Sequence, residues 1–296
     1  MSTCSDATSI TSVDGTTIAL HDLSLRTTAN EQRPVLFSHA TGFHAHCWQP
    51  MVDVLSDEMH CVALDHRGFG DSEKVDPSTL KWSDYGDDAI AAARVTYERH
   101  DGVPIVGVGH SMGGATLLMA ALAEPTLFRA LFIFEPIVFP PLPANTSGET
   151  PSNFLADGAR KRRSTFDTFE AALANFANKP PMNSFHPVAR EAYVRHGFAE
   201  QTDGSVVLKC APEHEARTYE TGGVAPEWHE LPMITVPTWV LCGRPEPFQP
   251  SRFAADVAEQ LGNSTYVQWD ELGHFGPFTH PDALAGFIGR TVRTLA

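Results

Sequence analysis

At 296 residues the chain exceeds one average domain, yet large α/β units of this size often fold as one. Hydrophobic content of 42% and charged content of 19% suit a soluble globular protein with a sizeable core. The net charge of −15 argues against nucleic acid or an anionic membrane as a general partner, and no segment reaches the length of a membrane span.

Residues 10–25 alternate apolar and polar side chains about Asp14-Gly15, which predicts a β-hairpin opening a sheet. Pro34-Val35-Leu36-Phe37-Ser38 reads as a buried strand running into His39-Ala40-Thr41-Gly42, and Gln49 to Leu55 as a short helix. A second buried strand, His60 to Asp65, enters the turn Asp65-His66-Arg67-Gly68-Phe69-Gly70-Asp71-Ser72. Asp84 is placed to cap a helix carrying Tyr85, Ile90, Ala93 and Val95.

Ile105 to Val108 is a β-branched run that stops at Gly109-His110-Ser111-Met112-Gly113, and helix-forming residues follow from Ala115. This is strand, sharp turn, helix, with Ser111 at the apex, where a side chain on Gly109 or Gly113 would collide with nearby backbone. At that apex the serine sits near a helix N-terminus, whose free N–H groups favour developing negative charge. Ala130 to Phe134 is the next strand, ending at Glu135-Pro136. Strands alternating with helices at this spacing predict βαβ units and a parallel sheet.

From 137 to 231 the rhythm breaks. Prolines cluster at Pro140-Pro141-Leu142-Pro143, Pro180-Pro181 and Pro226, with helical stretches at Thr165–Asn178 and Pro187–Gly197 between them. The block reads as an inserted, mostly helical cap on a core made of residues 1–136 and 232–296. Its aromatics (Phe154, Phe166, Phe169, Phe176, Phe185, Tyr193, Phe198) are expected mainly in the cap's own core, a minority roofing a pocket. The α/β rhythm resumes with a strand at Val236–Cys242, a helix from Phe253 to Leu261 and a strand at Thr265–Trp269. A turn carrying His274 and a last helix, Pro281 to Leu295, complete the chain.

Four stretches together carry a family resemblance. They are the elbow at Ser111, the His39-Ala40-Thr41-Gly42 loop, the Asp65-x-Arg67-Gly68-x-Gly70-x-Ser72 turn, and Gly273-His274-Phe275-Gly276-Pro277 followed by His280-Pro281. In this order the chain resembles a cap-containing, serine-nucleophile member of the α/β-hydrolase superfamily, over nearly all of residues 10–295. The resemblance implies an α/β fold with a mostly parallel central sheet flanked by helices and an inserted helical cap. It also implies Ser111 as nucleophile, His274 as its base, and the N–H groups of Met112 and Thr41 as the oxyanion hole.

The chemistry suits those residue types. A serine hydroxyl is a poor nucleophile until an imidazole takes its proton, and a carboxylate on the other ring nitrogen fixes the tautomer. Two candidates remain for that carboxylate. Glu246 follows the strand at 236–242, where the family usually carries Asp; Glu135 ends the strand after the elbow, the family's other solution. Of the two, Glu135 is favoured. His39 is expected to shape its loop, and His110 to pack beside the nucleophile. His44 and His46 superficially resemble a metal pair but lack further ligands at suitable spacing, so no metal and no cofactor are expected. The basic run Arg160-Lys161-Arg162-Arg163 reads as a solvated helix face, with contact between one arginine and a substrate carboxylate as the sharper alternative.

The expected activity is hydrolysis of a small-to-medium apolar ester or lactone through an acyl-enzyme, on a small-molecule substrate, by a monomer or homodimer. The alternatives are a carbon–carbon bond hydrolase acting on diketones, an acyltransferase or perhydrolase, and a ligand receptor on the same fold. The five cysteines (Cys4, Cys47, Cys61, Cys210, Cys242) have no framework spacing, and the first six residues lack the basic and apolar regions of a signal peptide. Reduced, buried thiols and a cytoplasmic location are therefore expected.

Overall fold

The computed structural model describes residues 7–24, 33–141 and 153–295. The hairpin forms from β1 (Thr8–Thr11) and β2 (Thr17–Asp22), with Gly15 at φ 92° in its turn. There follow β3 (Arg33–Ser38), α1 (Gln49–Leu55), β4 (Met59–Asp65), α2 (Trp82–Arg99), β5 (Ile105–His110), α3 (Met112–Ala123) and β6 (Phe128–Phe134). The inserted block contributes α4 (Phe154–Arg160), β7 (Thr165–Phe166), α5 (Phe169–Ala177), α6 (Pro187–Gly197), β8 (Phe198–Glu200), β9 (Val206–Leu208) and α7 (Pro212–Thr221). The chain closes with β10 (Thr238–Cys242), α8 (Ala254–Gln260), β11 (Ser264–Gln268), α9 (Gly276–Thr279) and α10 (Pro281–Thr294).

Eight strands build one sheet in the order β1-β2-β4-β3-β5-β6-β10-β11. Only the β1–β2 and β2–β4 pairs are antiparallel; every pair from β4 to β11 is parallel. The central strands are buried on both faces and successive side chains go to opposite sides. Leu36, Ile105, Leu131 and Ile133 pack under α2, α3 and α8, whereas Val35, Phe37, Val106 and Phe132 pack under α1 and α10. Because β3 to β6, β10 and β11 run the same way, their C-terminal ends share one edge. Loops carrying chemistry collect there in open α/β sheets.

The described residues between 153 and 221 are mostly helical and also carry a small sheet. β7, β9 and β8 form a three-stranded antiparallel sheet, whose β8–β9 hairpin turns through Asp203-Gly204 with Gly204 at φ 84°. That Asp-Gly step between alternating residues was the sequence signal for it. The expected helix at 165–178 accordingly begins only at Phe169, where the Thr168 side chain accepts from the Ala171 N–H. Asp84 does not cap α2 from outside either. It lies inside the first turn and accepts the Lys81 N–H at 2.9 Å. Val138 and Leu231, at the edges of the block, pack into the core of the large sheet. Of the block's aromatics, Phe166, Phe185, Tyr193 and Phe198 are buried, while Phe154 is 69% exposed.

Cys47, Cys61, Cys210 and Cys242 are free and buried; Cys4, Leu142 and Pro143 lie outside the described residues. No described helix is long and apolar enough to cross a membrane.

Candidate active site

The elbow owes its shape to two glycines. A β-carbon on Gly113 would lie 2.0 Å from the Ser38 carbonyl oxygen, and one on Gly109 would lie 2.6 Å from the Gly113 oxygen. With β5 and α3 packed this closely, the connecting residue is forced to φ 56°, ψ −117°, a conformation non-glycine residues rarely adopt. That residue is Ser111. Its N–H donates to the Phe134 carbonyl at 3.0 Å and its carbonyl accepts from Ile137, so the apex is tied to the end of β6. Its hydroxyl is left without a hydrogen-bond partner among the described residues.

The end of β6 carries Glu135, fully buried and at φ 45°. Its Oε1 accepts the Gly243 N–H at 2.9 Å and its Oε2 accepts Nδ1–H of His274 at 2.7 Å. Both oxygens are thus satisfied, which is the condition for keeping a carboxylate in an apolar interior. Donation from Nδ1 leaves His274 Nε2 as the ring's other face. His274 is further held by His110, the residue before Ser111, whose Nε2–H donates to the His274 carbonyl at 2.8 Å with ring centroids 4.8 Å apart. Burial, with His274 alongside, pushes His110 well below the usual histidine range, so it is a neutral donor. Glu246 is elsewhere: it is exposed, and its N–H donates to Ser251 Oγ at 3.1 Å. The His274 Nδ1–H that an acid after β10 would need is already taken by Glu135.

The loop after β3 lies across the elbow. The Thr41 hydroxyl donates to Met112 Sδ at 3.5 Å, which spends the side chain on packing and leaves the Thr41 N–H unengaged by any described residue. The Met112 N–H is one of the unpaired donors that open α3. His39 shapes the loop as expected: Nδ1–H donates to the Ala40 carbonyl at 2.8 Å and Nε2 accepts the His66 N–H at 3.1 Å. Burial lowers its pKa to about 3.

A strand–serine–helix elbow, a carboxylate at the next strand end, and a histidine on the loop after the last strand match a family description. The alpha/beta hydrolase family model covers residues 35–287. The chain belongs to the alpha/beta hydrolase family. It is 23% identical over 251 residues to a pimeloyl-[acyl-carrier protein] methyl ester esterase of Legionella pneumophila, 84% of this chain and 90% of the relative. A monoglyceride lipase of Rattus norvegicus is 28% identical over 105 residues, and that match spans only about a third of either chain, 35% of each. Among solved structures, the peroxisomal alpha-beta-hydrolase Lpx1 of Saccharomyces cerevisiae superposes with a TM-score of 0.77 at 19% identity, covering 94% of this chain and 81% of that one.

Two buried networks hold this hydrolase's loops, and the sequence showed only half of each. Asp65 accepts the Ala45 N–H at 2.7 Å, the Asp71 N–H at 2.8 Å and His21 Nε2–H at 2.9 Å, tying together the loops after β3 and β4. Burial opposes its charge, but His21 and the neighbouring histidines hold it well below the usual carboxylate range. Arg67 forks onto Asp88 of α2, with contacts of 2.6 and 3.0 Å, and reaches Asp14 of the hairpin turn at 2.7 Å. Arg67 also donates to Ser12 Oγ at 3.1 Å, and the sequence did not show that Asp88, Ser12 and Asp14 are its partners because each lies more than twenty positions away.

The His44/His46 pair does not act as one. His44 donates to the Tyr193 carbonyl at 3.1 Å, while His46 stacks on His196 of α6 with centroids 3.7 Å apart. The one described group with cation-holding geometry is His21, Asp65 and Asp71. Asp65 there is already committed to three donors, and Lys209 Nζ lies on Asp71 at 2.5 Å. The basic run is not a uniform solvated face. Arg160 pairs with Glu213 and Glu220, Arg163 lies over the Phe166 ring at 4.2 Å, and Arg162 turns inward to Glu215 and Tyr193.

Proposed function

We propose that the protein is a serine hydrolase that cleaves small-to-medium esters or lactones through an acyl-enzyme. Ser111 Oγ attacks the carbonyl carbon as His274 Nε2 takes its proton. Glu135 holds the imidazole tautomer and stabilises the imidazolium. The N–H groups of Met112 and Thr41 receive the oxyanion at the N-terminal end of α3. His274 then returns the proton to the leaving alkoxide, and a water activated by the same ring releases the acid and regenerates Ser111. No step calls for a metal or an organic cofactor. Glu246 has no part in it.

The observation that carries this reading is the 2.7 Å contact between His274 Nδ1 and a Glu135 that is wholly buried and otherwise bonded only to backbone. A carboxylate of that kind on an imidazole whose backbone is held by the residue before the strained serine supports acyl transfer. The alignment with a methyl ester esterase, over 84% of this chain and 90% of the relative, supports the ester as substrate class. Phe43 packs on Phe185, Phe275, Phe278 and Tyr193 with centroid separations of 4.7 to 6.1 Å, and on this reading the partly exposed edge of this aromatic wall at Phe275, next to His274, meets an apolar substrate body. Phe185 and Tyr193 come from the 137–231 block, which on this reading is a lid over the site.

The test is turnover of p-nitrophenyl butyrate by wild type and Ser111→Ala, with mass-spectrometric mapping of a fluorophosphonate label. The expected outcome is a single label on Ser111 and turnover that Ser111→Ala loses by at least a thousandfold. An unlabelled Ser111 and equal rates for the two proteins would overturn the assignment.

A further inference from the structure

Arg162 brings a positive charge to the oxyanion loop at Gly42. Its guanidinium donates through Nη1 to Glu215 Oε2 and through Nη2 to Tyr193 Oη. Glu215 is 5% exposed, Tyr193 4%, and the Arg162 side chain 21%. The group closes on Gly42, which follows Thr41 and has φ 82°. A β-carbon on Gly42 would lie 2.7 Å from Glu215 Oε1 and 3.4 Å from Arg162 Nη1.

Stability alone does not account for an ion pair in this position. Desolvating two charges costs about as much as their attraction returns, and apolar residues of equal volume would serve as well or better. The hydrogen-bond inventory shows what the pair is equipped to meet. A guanidinium has five N–H donors, and Arg162 spends two on described residues. Tyr193 Oη accepts one of these, so its own O–H is free to donate. Donors therefore outnumber acceptors, and the planar fork of Arg matches a carboxylate. Covalent geometry limits the reach: through Gly42 and one peptide unit, Nη1 lies no more than about 10 Å from the Thr41 N–H. That is close enough for one short ligand to place a carbonyl in the oxyanion hole and a carboxylate on Arg162 with a hydrogen bond at each end.

We propose that Arg162 and Tyr193, with Glu215 orienting the guanidinium, anchor a free carboxylate at the far end of the substrate. The substrate class is then a half-ester, or an acid-bearing lactone, of a short dicarboxylic acid, whose methylenes lie against the aromatic wall. This inference rests on the hydrolase reading above and adds a charged terminus to its apolar substrate.

The experiment compares monoethyl glutarate with ethyl valerate, in which a methyl replaces the carboxylate, by pH-stat on wild type, Arg162→Gln, Arg162→Lys and the double variant Arg162→Gln/Glu215→Gln. The double variant leaves no orphaned charge, so it reports even where the single one fails to fold. Wild type is expected to favour the half-ester in kcat/KM. The ratio of the two substrates should fall about 10- to 100-fold in both glutamine variants and by less in Arg162→Lys. A wild-type ratio at or below one, or a ratio unchanged in the variants, would overturn the anchor and leave the hydrolase intact. Should wild type turn over neither ester, the Ser111 label and p-nitrophenyl butyrate turnover still decide the hydrolase reading, and calorimetry of glutarate against glutaramide decides the anchor. Glutarate binding that disappears in Arg162→Gln supports it, and no glutarate binding to wild type refutes it.

Discussion

Acidification is the perturbation whose effect on this fold can be worked most directly. Burial holds the four histidines His39, His44, His110 and His214 neutral, and His46, His100 and His196 are lowered in the same direction. Burial is the leading cause in each case, lowering His39 to about 3 and His44 and His214 to about 4, and taking His110 well below its usual range. Above pH 6.5 these groups are neutral in both folded and unfolded chains and contribute nothing. As pH falls below 6.5 the unfolded chain takes up protons that the folded chain refuses, so stability is lost progressively down to about pH 4. One unit below the unfolded value each histidine costs about 1.4 kcal/mol, and the four together about 6 kcal/mol at pH 5.5. His21 works the other way. Burial lowers it, but the Asp65 hydrogen bond and charge prevail and raise it, so its stabilisation is full at low pH and fades as pH rises through its folded value. The lowered histidines outnumber His21, so the net loss between pH 7.5 and 5.5 is several kcal/mol, a large share of the roughly 5–15 kcal/mol that holds a domain together. Urea unfolding at pH 7.5, 6.5 and 5.5 reads this directly. His44→Gln, which keeps a donor for the Tyr193 carbonyl, should remove about one proton's worth of the slope. A free energy that changes by less than about 1 kcal/mol across that range would refute the reasoning.

Three further outcomes follow from contacts in the site. Glu135→Gln should lower kcat on a p-nitrophenyl ester by about 10³- to 10⁴-fold, while Glu246→Gln stays within about twofold; the reverse ranking would reassign the acid. Gly113→Ala sets a β-carbon 2.0 Å from the Ser38 oxygen, a backbone atom that cannot swing away. It should cost at least about 3 kcal/mol in chemical denaturation or prevent folding altogether. Arg67→Met strands the fully buried Asp88 carboxylate and should destabilise by about 3–5 kcal/mol, whereas replacing Asp88 by Asn and Arg67 by Met together should recover part of the loss in a double-mutant cycle.

Polar contacts as well as aromatic packing join α6 and the segment after β9 to the loops of the large sheet. His44 and His46, which follow Thr41, meet Tyr193 and His196 of α6, and Lys209 reaches Asp71 of the turn after β4.

What the sequence by itself determined was whatever is written in consecutive residues. The strand–Ser111–helix elbow, α1 at Gln49–Leu55 and α6 at Pro187–Gly197 are local patterns of period, glycine and proline, and the chain obeys them. The order of elbow, Asp65 turn and His274 loop was likewise enough to name the family. Local patterns failed where a short β signal competed with helix-compatible neighbours, as at Thr165–Phe166 and at the β8–β9 hairpin, because two- or three-residue strands exist only through their partners. Tertiary structure alone decided the rest. Glu135 and Glu246 both follow strands that end at the same edge of the sheet, and only the pairing of β6 with β10 puts the Gly243 N–H on Glu135 and turns that carboxylate to His274. In the same way, nothing in a run of four basic residues distinguishes Arg162; the fold does so by facing it towards Glu215, Tyr193 and Gly42. The physical reason is common to both cases. A charge is chosen for burial by the partners that offset its desolvation, and those partners lie tens to more than a hundred positions away in the chain.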